Sequence, residues 1–156
     1  MKRVIIGMGS NMGDRAGNLS KAIVRMAERV GGIERCTHMA ETPAWGFDAP
    51  PFLNQAVVLH TYLSPIELLD ELQQIERQMG RTAKTHYEQG HPVYSSRPID
   101  LDILDYAGLV YSDERLTLPH PQIPHRDFVR DELAELGIRI VEDIPDNTFH
   151  LEPINH

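Results

Sequence analysis

The chain has 156 residues, 41% hydrophobic and 24% charged, a composition expected of one soluble globular domain over residues 1–156 with a core of ordinary size. Its 15 Lys and Arg stand against 23 Asp and Glu, a formal net charge of −8, which argues against nonspecific nucleic-acid binding, so an anionic ligand must meet a local basic cluster or a metal. The single cysteine, Cys36, excludes an internal disulfide and a multi-thiolate zinc site; it reads as a small core or strand residue.

Met1-Lys2-Arg3 begins like a signal peptide, but the apolar run behind it stops at Gly7 and Gly9, and no run in the chain is long enough to span a membrane. No membrane partner is expected, and the expected location is the cytoplasm. Val4-Ile5-Ile6 reads as a short buried strand ending at Gly7. Gly7-Met8-Gly9-Ser10-Asn11-Met12-Gly13 follows it, but Met12 stands where a dinucleotide fingerprint needs glycine, and the P-loop ending is missing. Two readings remain: a tight turn that brings Ser10 and Asn11 to a site, or a plain strand-to-helix turn. From about Asp14, Leu19, Ile23, Met26, Ala27 and Val30 recur at helical spacing until Gly31-Gly32.

Residues 33–40 read as a strand, and Leu53 to Thr61 as another, rich in β-branched and apolar residues. Ser64-Pro65-Ile66-Glu67 is a capping box with proline at the first helical position. Leu68, Leu72, Ile75 and Met79 then form one stripe closed by Gly80, whereas residues 82–96 have no period and read as a long loop. A strand follows, then a less regular tail. Two βαβ-like units in succession, with helices on one face, predict an α+β sandwich of the ferredoxin-like kind: a central, mostly antiparallel sheet with helices packed on it.

The chemistry is concentrated in Arg97-Pro98-Ile99-Asp100-Leu101-Asp102-Ile103. Strand side chains alternate, so Asp100 and Asp102 share one face while Ile99, Leu101 and Ile103 share the other. Two uncompensated acids on a core strand imply a cation between them. Oxygen ligands about 7 Å apart along a strand suit Mg²⁺, whose shell substrate phosphates complete. Arg97 is a natural phosphate partner. The competing reading is a surface strand whose acids face water.

Together these segments resemble hydroxymethyl-dihydropterin pyrophosphokinases, from about residue 4 to residue 128. The matching pieces are Gly9-Ser10-Asn11, Thr42-Pro43-Ala44-Trp45-Gly46, Phe52-Leu53-Asn54, Gln73 to Glu76 with Gly80-Arg81, the aspartate strand, Leu116-Thr117-Leu118-Pro119-His120 and Arg126-Asp127-Phe128. The resemblance implies the same fold, ATP as co-substrate, two Mg²⁺ ions, and transfer of pyrophosphate to a pterin alcohol with AMP as product. Asp100 and Asp102 would hold the metals, and Arg97 and Arg126 would contact phosphates and stabilise the leaving group. Gln73, Glu76, Arg81, Lys84, Arg115, Leu116, Thr117 and His120 would line the nucleotide site. Thr42, Pro43, Trp45, Phe52, Asn54 and Phe128 would receive the pterin, with Asp100 shared; aromatic faces stack on the flat ring and an amide meets its polar edge. The chain departs from the family at Ala83, where many members carry a second arginine, at Tyr94, in the length of the 82–96 segment, and after Phe128. Lys84 beside Ala83 is a point charge without the guanidinium fork. The alternatives are a catalytically weakened pterin- and ATP-binding paralogue and an interaction domain with a solvated acidic strand. The expected assembly is a monomer or weak homodimer.

Overall fold

A computed structural model describes residues 1–43, 50–80, 97–143 and 146–154, with the backbone of 86–88 and 91–93. Strand β1 spans Lys2–Ser10 and runs straight through the glycines expected to end it. Helix α1 spans Arg15–Arg29; the Asp14 carboxylate caps it by accepting the Gly17 N–H at 3.1 Å. The segment after it is split into β2, Gly31–Cys36, and β3, Ala40–Thr42, rather than forming one strand over 33–40. Cys36 lies on β2 and is exposed, so it is a strand residue but not a core one. Strand β4 spans Phe52–Thr61, and α2 spans Pro65–Gln78. The capping box at α2 is complete: Ser64 Oγ accepts the Glu67 N–H at 3.2 Å and Glu67 Oε1 accepts the Ser64 N–H at 3.0 Å.

Two short strands, β5 (His86–Glu88) and β6 (His91–Val93), pair as a hairpin inside the stretch expected to be a loop. Strand β7, Asp100–Tyr106, carries the paired acids. The tail is more ordered than its pattern suggests. It holds a two-stranded ribbon of β8 (Tyr111–Ser112) and β9 (Thr117–Leu118), a 3-10 turn at Ile123–His125, and helix α3 over Asp127–Glu135. It closes with a second hairpin, β10 (Ile138–Asp143) and β11 (Thr148–Pro153).

The central sheet has the order β2-β4-β1-β7, with β3 also paired to β4, and every pairing is antiparallel. This is the ferredoxin-like arrangement expected from the pattern. One face of the sheet presents Val4, Ile6, Met8, Val57, Leu59, Leu101 and Ile103 to α1 and α2, which bury Leu19, Ala22, Met26, Leu68, Leu72 and Ile75 against them. Each of these larger apolar side chains contributes about 1.5–3 kcal/mol on burial. Helices are not confined to that face. On the other, Ile5, Ala56, Val58 and Leu104 meet Val129, Leu133 and Leu136 of α3, and Phe149 and Leu151 of the terminal hairpin pack alongside. Glu135 ties α3 to the sheet edge, because its carboxylate accepts the His38 N–H at 2.9 Å and its carbonyl accepts from Arg35 at 3.0 Å.

Gly31 and Gly32, read together as a helix stop, have unequal duties. A Cβ on Gly31 would stand 1.7 Å from the His60 carbonyl oxygen, whereas one on Gly32 would meet nothing within 4 Å. Gly31→Ala is therefore expected to cost about 3 kcal/mol or more by forcing β2 away from β4, and Gly32→Ala to leave the urea midpoint close to that of the parent. Equal midpoints for the two variants would contradict the close approach.

Candidate active site

A cavity of about 470 Å³ opens on the α3 side of the sheet, and its floor is backbone. In the register of the sheet Gly9 lies between Asn54 of β4 and Asp100 of β7, and Gly7 lies between Ala56 and Asp102. Directly opposed residues share a face, so the amide and both acids surround two positions with no side chain. A Cβ on Gly9 would come within 3.1 Å of Asn54 Oδ1 and 3.3 Å of Phe52 Cδ1, and one on Gly7 within 3.3 Å of the Leu104 side chain. These glycines shape a floor rather than a turn. The alternation expected along β7 is present: Leu101 and Ile103 are buried on the helical face, and Asp100 and Asp102 line the cavity.

Each acid has a basic side chain beside it. Arg97 Nη1 lies 3.6 Å from Asp100 Oδ2, and His120 Nε2 lies 4.0 Å from Asp102 Oδ1. His120 Nδ1 accepts the Gln122 N–H at 3.2 Å, which leaves Nε2 to carry the proton of the neutral ring on the side of Asp102. The ring is set by its own backbone too, since the His120 N–H donates to the Leu104 carbonyl at 3.0 Å. Arg126, at the start of α3, also lines the cavity and has no carboxylate partner among the described residues.

Two buried polar residues hold this strand and its arginine by their backbones. Glu76 was expected to line the nucleotide site beside Gln73; it is instead 4% exposed, and its Oε2 accepts the Leu101 N–H at 2.8 Å. That N–H lies between the two acids on a strand at the sheet edge, where no further strand among the described residues takes it. Asn11 makes a pair of hydrogen bonds to Arg97: its Oδ1 accepts the Arg97 N–H at 2.6 Å and its N–H donates to the Arg97 carbonyl at 3.1 Å. Its Nδ2 also donates to the Pro50 carbonyl at 3.3 Å. Asn11 thus holds the backbone of a cavity residue, while Ser10 Oγ accepts from Asn18 Nδ2 at 3.2 Å.

Thr42, Pro43, Phe52, Asn54 and Phe128 all line the same cavity as the acids. Asn54 Nδ2 donates to Thr42 Oγ1 at 2.6 Å, which orients the amide. Trp45, Arg81, Lys84, Ala83 and Tyr94 lie outside the described residues. Gln73 is joined to Arg115, whose Nη2 donates to Gln73 Oε1 at 3.2 Å and to Asp70 Oδ1 at 2.7 Å, away from the cavity lining. Leu116 packs in the core on the α1 and α2 face, its N–H donating to Asp113 Oδ1 at 2.8 Å and its carbonyl accepting the Asp113 N–H at 2.9 Å. Thr117 is exposed on β9, with its hydroxyl 3.2 Å from that of Ser112. Sequence reasoning passed over Gly7, Gln122, His125 and Glu132, which also line the cavity.

Glu132 is 6% exposed, and its Oε2 has no hydrogen-bond partner among the described residues. Burial, then the charges of Glu135 and Asp131, push its carboxyl from the usual 4.5 up to about 8. The unfolded chain therefore loses this proton at lower pH than the folded one, so the acid withdraws stability as pH rises from about 4.5 through about 8. Glu132→Gln should match the parent's melting temperature near pH 5 and exceed it by about 3 °C or more at pH 8. Parallel melting curves at the two pH values would contradict the buried, unpartnered state.

The sequence profile of the 7,8-dihydro-6-hydroxymethylpterin-pyrophosphokinase (HPPK) family matches residues 5–137. Over 141 residues the chain is 43% identical to the 2-amino-4-hydroxy-6-hydroxymethyldihydropteridine pyrophosphokinase of Porphyromonas gingivalis, covering 88% of this chain and 92% of that one. The enzyme of the same name from Aquifex aeolicus is 36% identical over 145 residues, 92% of this chain and 86% of that one. The mitochondrial folate synthesis bifunctional protein of Pisum sativum is 42% identical over 136 residues, which are 86% of this chain but 25% of that protein. Among solved structures, Plasmodium falciparum HPPK-DHPS with pteroate superposes with a TM-score of 0.63 at 14% identity, over 86% of this chain and 38% of that one. At that identity the likeness is one of fold, and the chain spans under two-fifths of the longer protein. With the profile match over most of its length and relatives of its own size above one-third identity, the chain belongs to the 7,8-dihydro-6-hydroxymethylpterin-pyrophosphokinase family.

Proposed function

We propose that this cavity moves the pyrophosphoryl group of ATP to the alcohol of 6-hydroxymethyl-7,8-dihydropterin, a step of folate formation. The observation that carries the reading is the pair Asp100 and Asp102 on the floor of a cavity that also holds Asn54, Phe52 and Phe128. The hydroxymethyl oxygen forms a bond to the β-phosphorus, the bond from that phosphorus to the α–β bridging oxygen breaks, and AMP leaves with the bridging oxygen. The hydroxyl proton passes to solvent or a phosphate oxygen. Both acids, Arg97 and Arg126 stand at the cavity, and nothing favours the binding-only paralogue.

The donor set fits two Mg²⁺ ions bound with the nucleotide. It offers two carboxylates on alternate strand positions, and among the described residues no cluster of three or more His, Cys, Asp or Glu could hold a metal by itself. Such a set leaves most of the shell to phosphate oxygens. Bound there, Mg²⁺ would neutralise charge on the phosphates and align the reacting groups. The protein's own part is positional. Arg97, anchored through Asn11, meets the triphosphate at one side of the acids and Arg126 at the other. Phe52 and Phe128 enclose the flat ring, and Asn54 meets its polar edge. His120 stands beside Asp102, with Nε2 4.0 Å from Oδ1, where its ring can face the phosphates. No helix among the described residues is long and apolar enough to cross a membrane, and we place the reaction in the cytoplasm.

Incubation with ATP, Mg²⁺ and the pterin alcohol should yield AMP rather than ADP. Asp100→Ala and Asp102→Ala should each lower turnover at least roughly a hundredfold while the melting temperature without ligand stays near that of the parent. Near-normal AMP formation by either variant would remove the acids from the reaction. Gly9→Ala, which crowds Asn54 and Phe52, should weaken pterin binding roughly tenfold and leave ATP binding unchanged; an unaltered pterin affinity would mean that the ring does not lie on this floor.

A further inference from the structure

The 3-10 turn Ile123–His125 ends, and α3 begins, on one residue, Arg126, whose backbone is extended at φ −125° and ψ 108°. The bend at this junction carries Gln122, His125, Arg126 and Phe128, all of which line the cavity. Helix N-termini are commonly closed by a capping side chain, but among the described residues none caps α3. Arg130, one turn into the helix, spans the bend instead. Its Nε and Nη2 both donate to the Pro124 carbonyl, at 3.2 and 2.9 Å, and its backbone N–H donates to the Arg126 carbonyl at 3.2 Å. One residue thus holds the chain on either side of His125. The guanidinium is itself held from behind, because Nη2 also donates to Glu142 Oε1 on β10 at 2.6 Å. That strand is seated on the helix, with Ile138 and Ile140 packed on the cluster of Val129, Leu133 and Leu136. It lies beyond residue 137, where the family profile match ends. The ion pair leaves 41% of the arginine and 51% of the glutamate side chain exposed, so it adds little stability by itself. What it supplies is direction, for a guanidinium is a rigid planar fork.

We propose that Arg130 is a positioning residue that aims Arg126 into the cavity, through a brace that runs from Glu142 by way of the guanidinium to the Pro124 carbonyl. The inference rests on the pyrophosphoryl-transfer reading, in which Arg126 meets the triphosphate. Arg126 has no carboxylate partner among the described residues, so its direction is set by the backbone beneath it, and that backbone is the bend. A long side chain swings wide when its root turns. Transfer at phosphorus depends on where the charges stand, and a misplacement of about 1 Å costs on the order of a hundredfold in rate. Arg97 is served in the same way, since Asn11 holds its peptide at both the N–H and the carbonyl. Arg130 is not among the residues that line the cavity, so it acts through Arg126 and not on a ligand. Lysine in its place would keep the charge without the fork, and one ammonium group does not fix the angle between a carbonyl and a carboxylate.

The test is a double-mutant cycle read in turnover. AMP formation from ATP, Mg²⁺ and the pterin alcohol would be followed in the parent, Arg130→Lys, Arg126→Ala and the double variant, and the melting temperature of each measured without ligand. Arg130→Lys should lower kcat roughly tenfold, with a melting temperature within about 2 °C of the parent's. In the Arg126→Ala background the same substitution should lower kcat no further, because the brace then has nothing to aim. Glu142→Gln, which keeps an acceptor for Nη2, should lose less than Arg130→Lys. A loss of equal size in both backgrounds would overturn the proposal, since Arg130 would then act on something other than Arg126. So would a kcat of Arg130→Lys equal to the parent's, or a loss that follows a fallen melting temperature and disappears when the assay is cooled. Each of those results leaves the transfer reading standing. A parent chain that forms no AMP would overturn that reading and this inference together.

Discussion

Antiparallel pairing of β1 with β4 on one side and β7 on the other sets where the strand-borne polar groups of the cavity stand. The pairing brings Asn54, Gly9 and Asp100 into one row across three strands, and Ala56, Gly7 and Asp102 into the next. An amide and two carboxylates are thereby spaced by hydrogen-bonded backbone, the least deformable ruler in the molecule. Had β1 carried side chains at those two positions, the acids would flank a ridge instead of a recess, and the rings of Phe52 and Phe128 would have nothing to enclose. A slip of one residue in either pairing would turn every one of these groups into the apolar face, where α1 and α2 are already packed.

Polar groups buried near this floor act on backbone more than on ligands. β7 lies at the sheet edge, so the Leu101 N–H would be an orphan without the Glu76 carboxylate, and Asn11 does for the peptide of Arg97 what a neighbouring strand would have done. Both contacts satisfy groups whose burial would otherwise cost a hydrogen bond, and both fix elements that carry charge into the cavity. The rigidity of the acidic pair is thus maintained from the far side of the sheet, by a residue on α2 that faces away from the cavity.

Local rules carried most of the fold. The capping box at Ser64, the stripe of Leu68, Leu72 and Ile75, and the alternation about Asp100 and Asp102 appear where periodicity and propensity put them, because each is decided by neighbours within a few residues. What escaped was decided by distant chain. Gly7 and Gly9 read as a stop, since nothing local says that Leu104, Asn54 and Phe52 will occupy the space that their side chains would take. Glu76 read as a surface acid sharing a face with Gln73, because its partner is a backbone N–H twenty-five residues on. For Leu116 the motif around it says nothing of its side chain, which packs in the core under α1 and α2. Glu132 lay in a stretch rich in acids, where composition hides which one α3 will turn inward.

The sheet separates two apolar clusters that share no buried residue, one under α1 and α2 and the other under α3 and the terminal hairpin. The cavity opens on the side of the second, whose Leu104 and Val129 line it. Thermodynamic reserve and ligand chemistry are therefore stored on opposite sides of one five-stranded wall. Over evolutionary time, the layer of α1 and α2 is free to be repacked with other apolar residues of similar volume, provided that Glu76 keeps its hold on β7. The layer of α3 has less freedom, for Val129 and Phe128 there are at once part of the core and a wall of the cavity. Selection for a new ring substituent would have to work through α3, and it would draw on stability held in reserve on the other side.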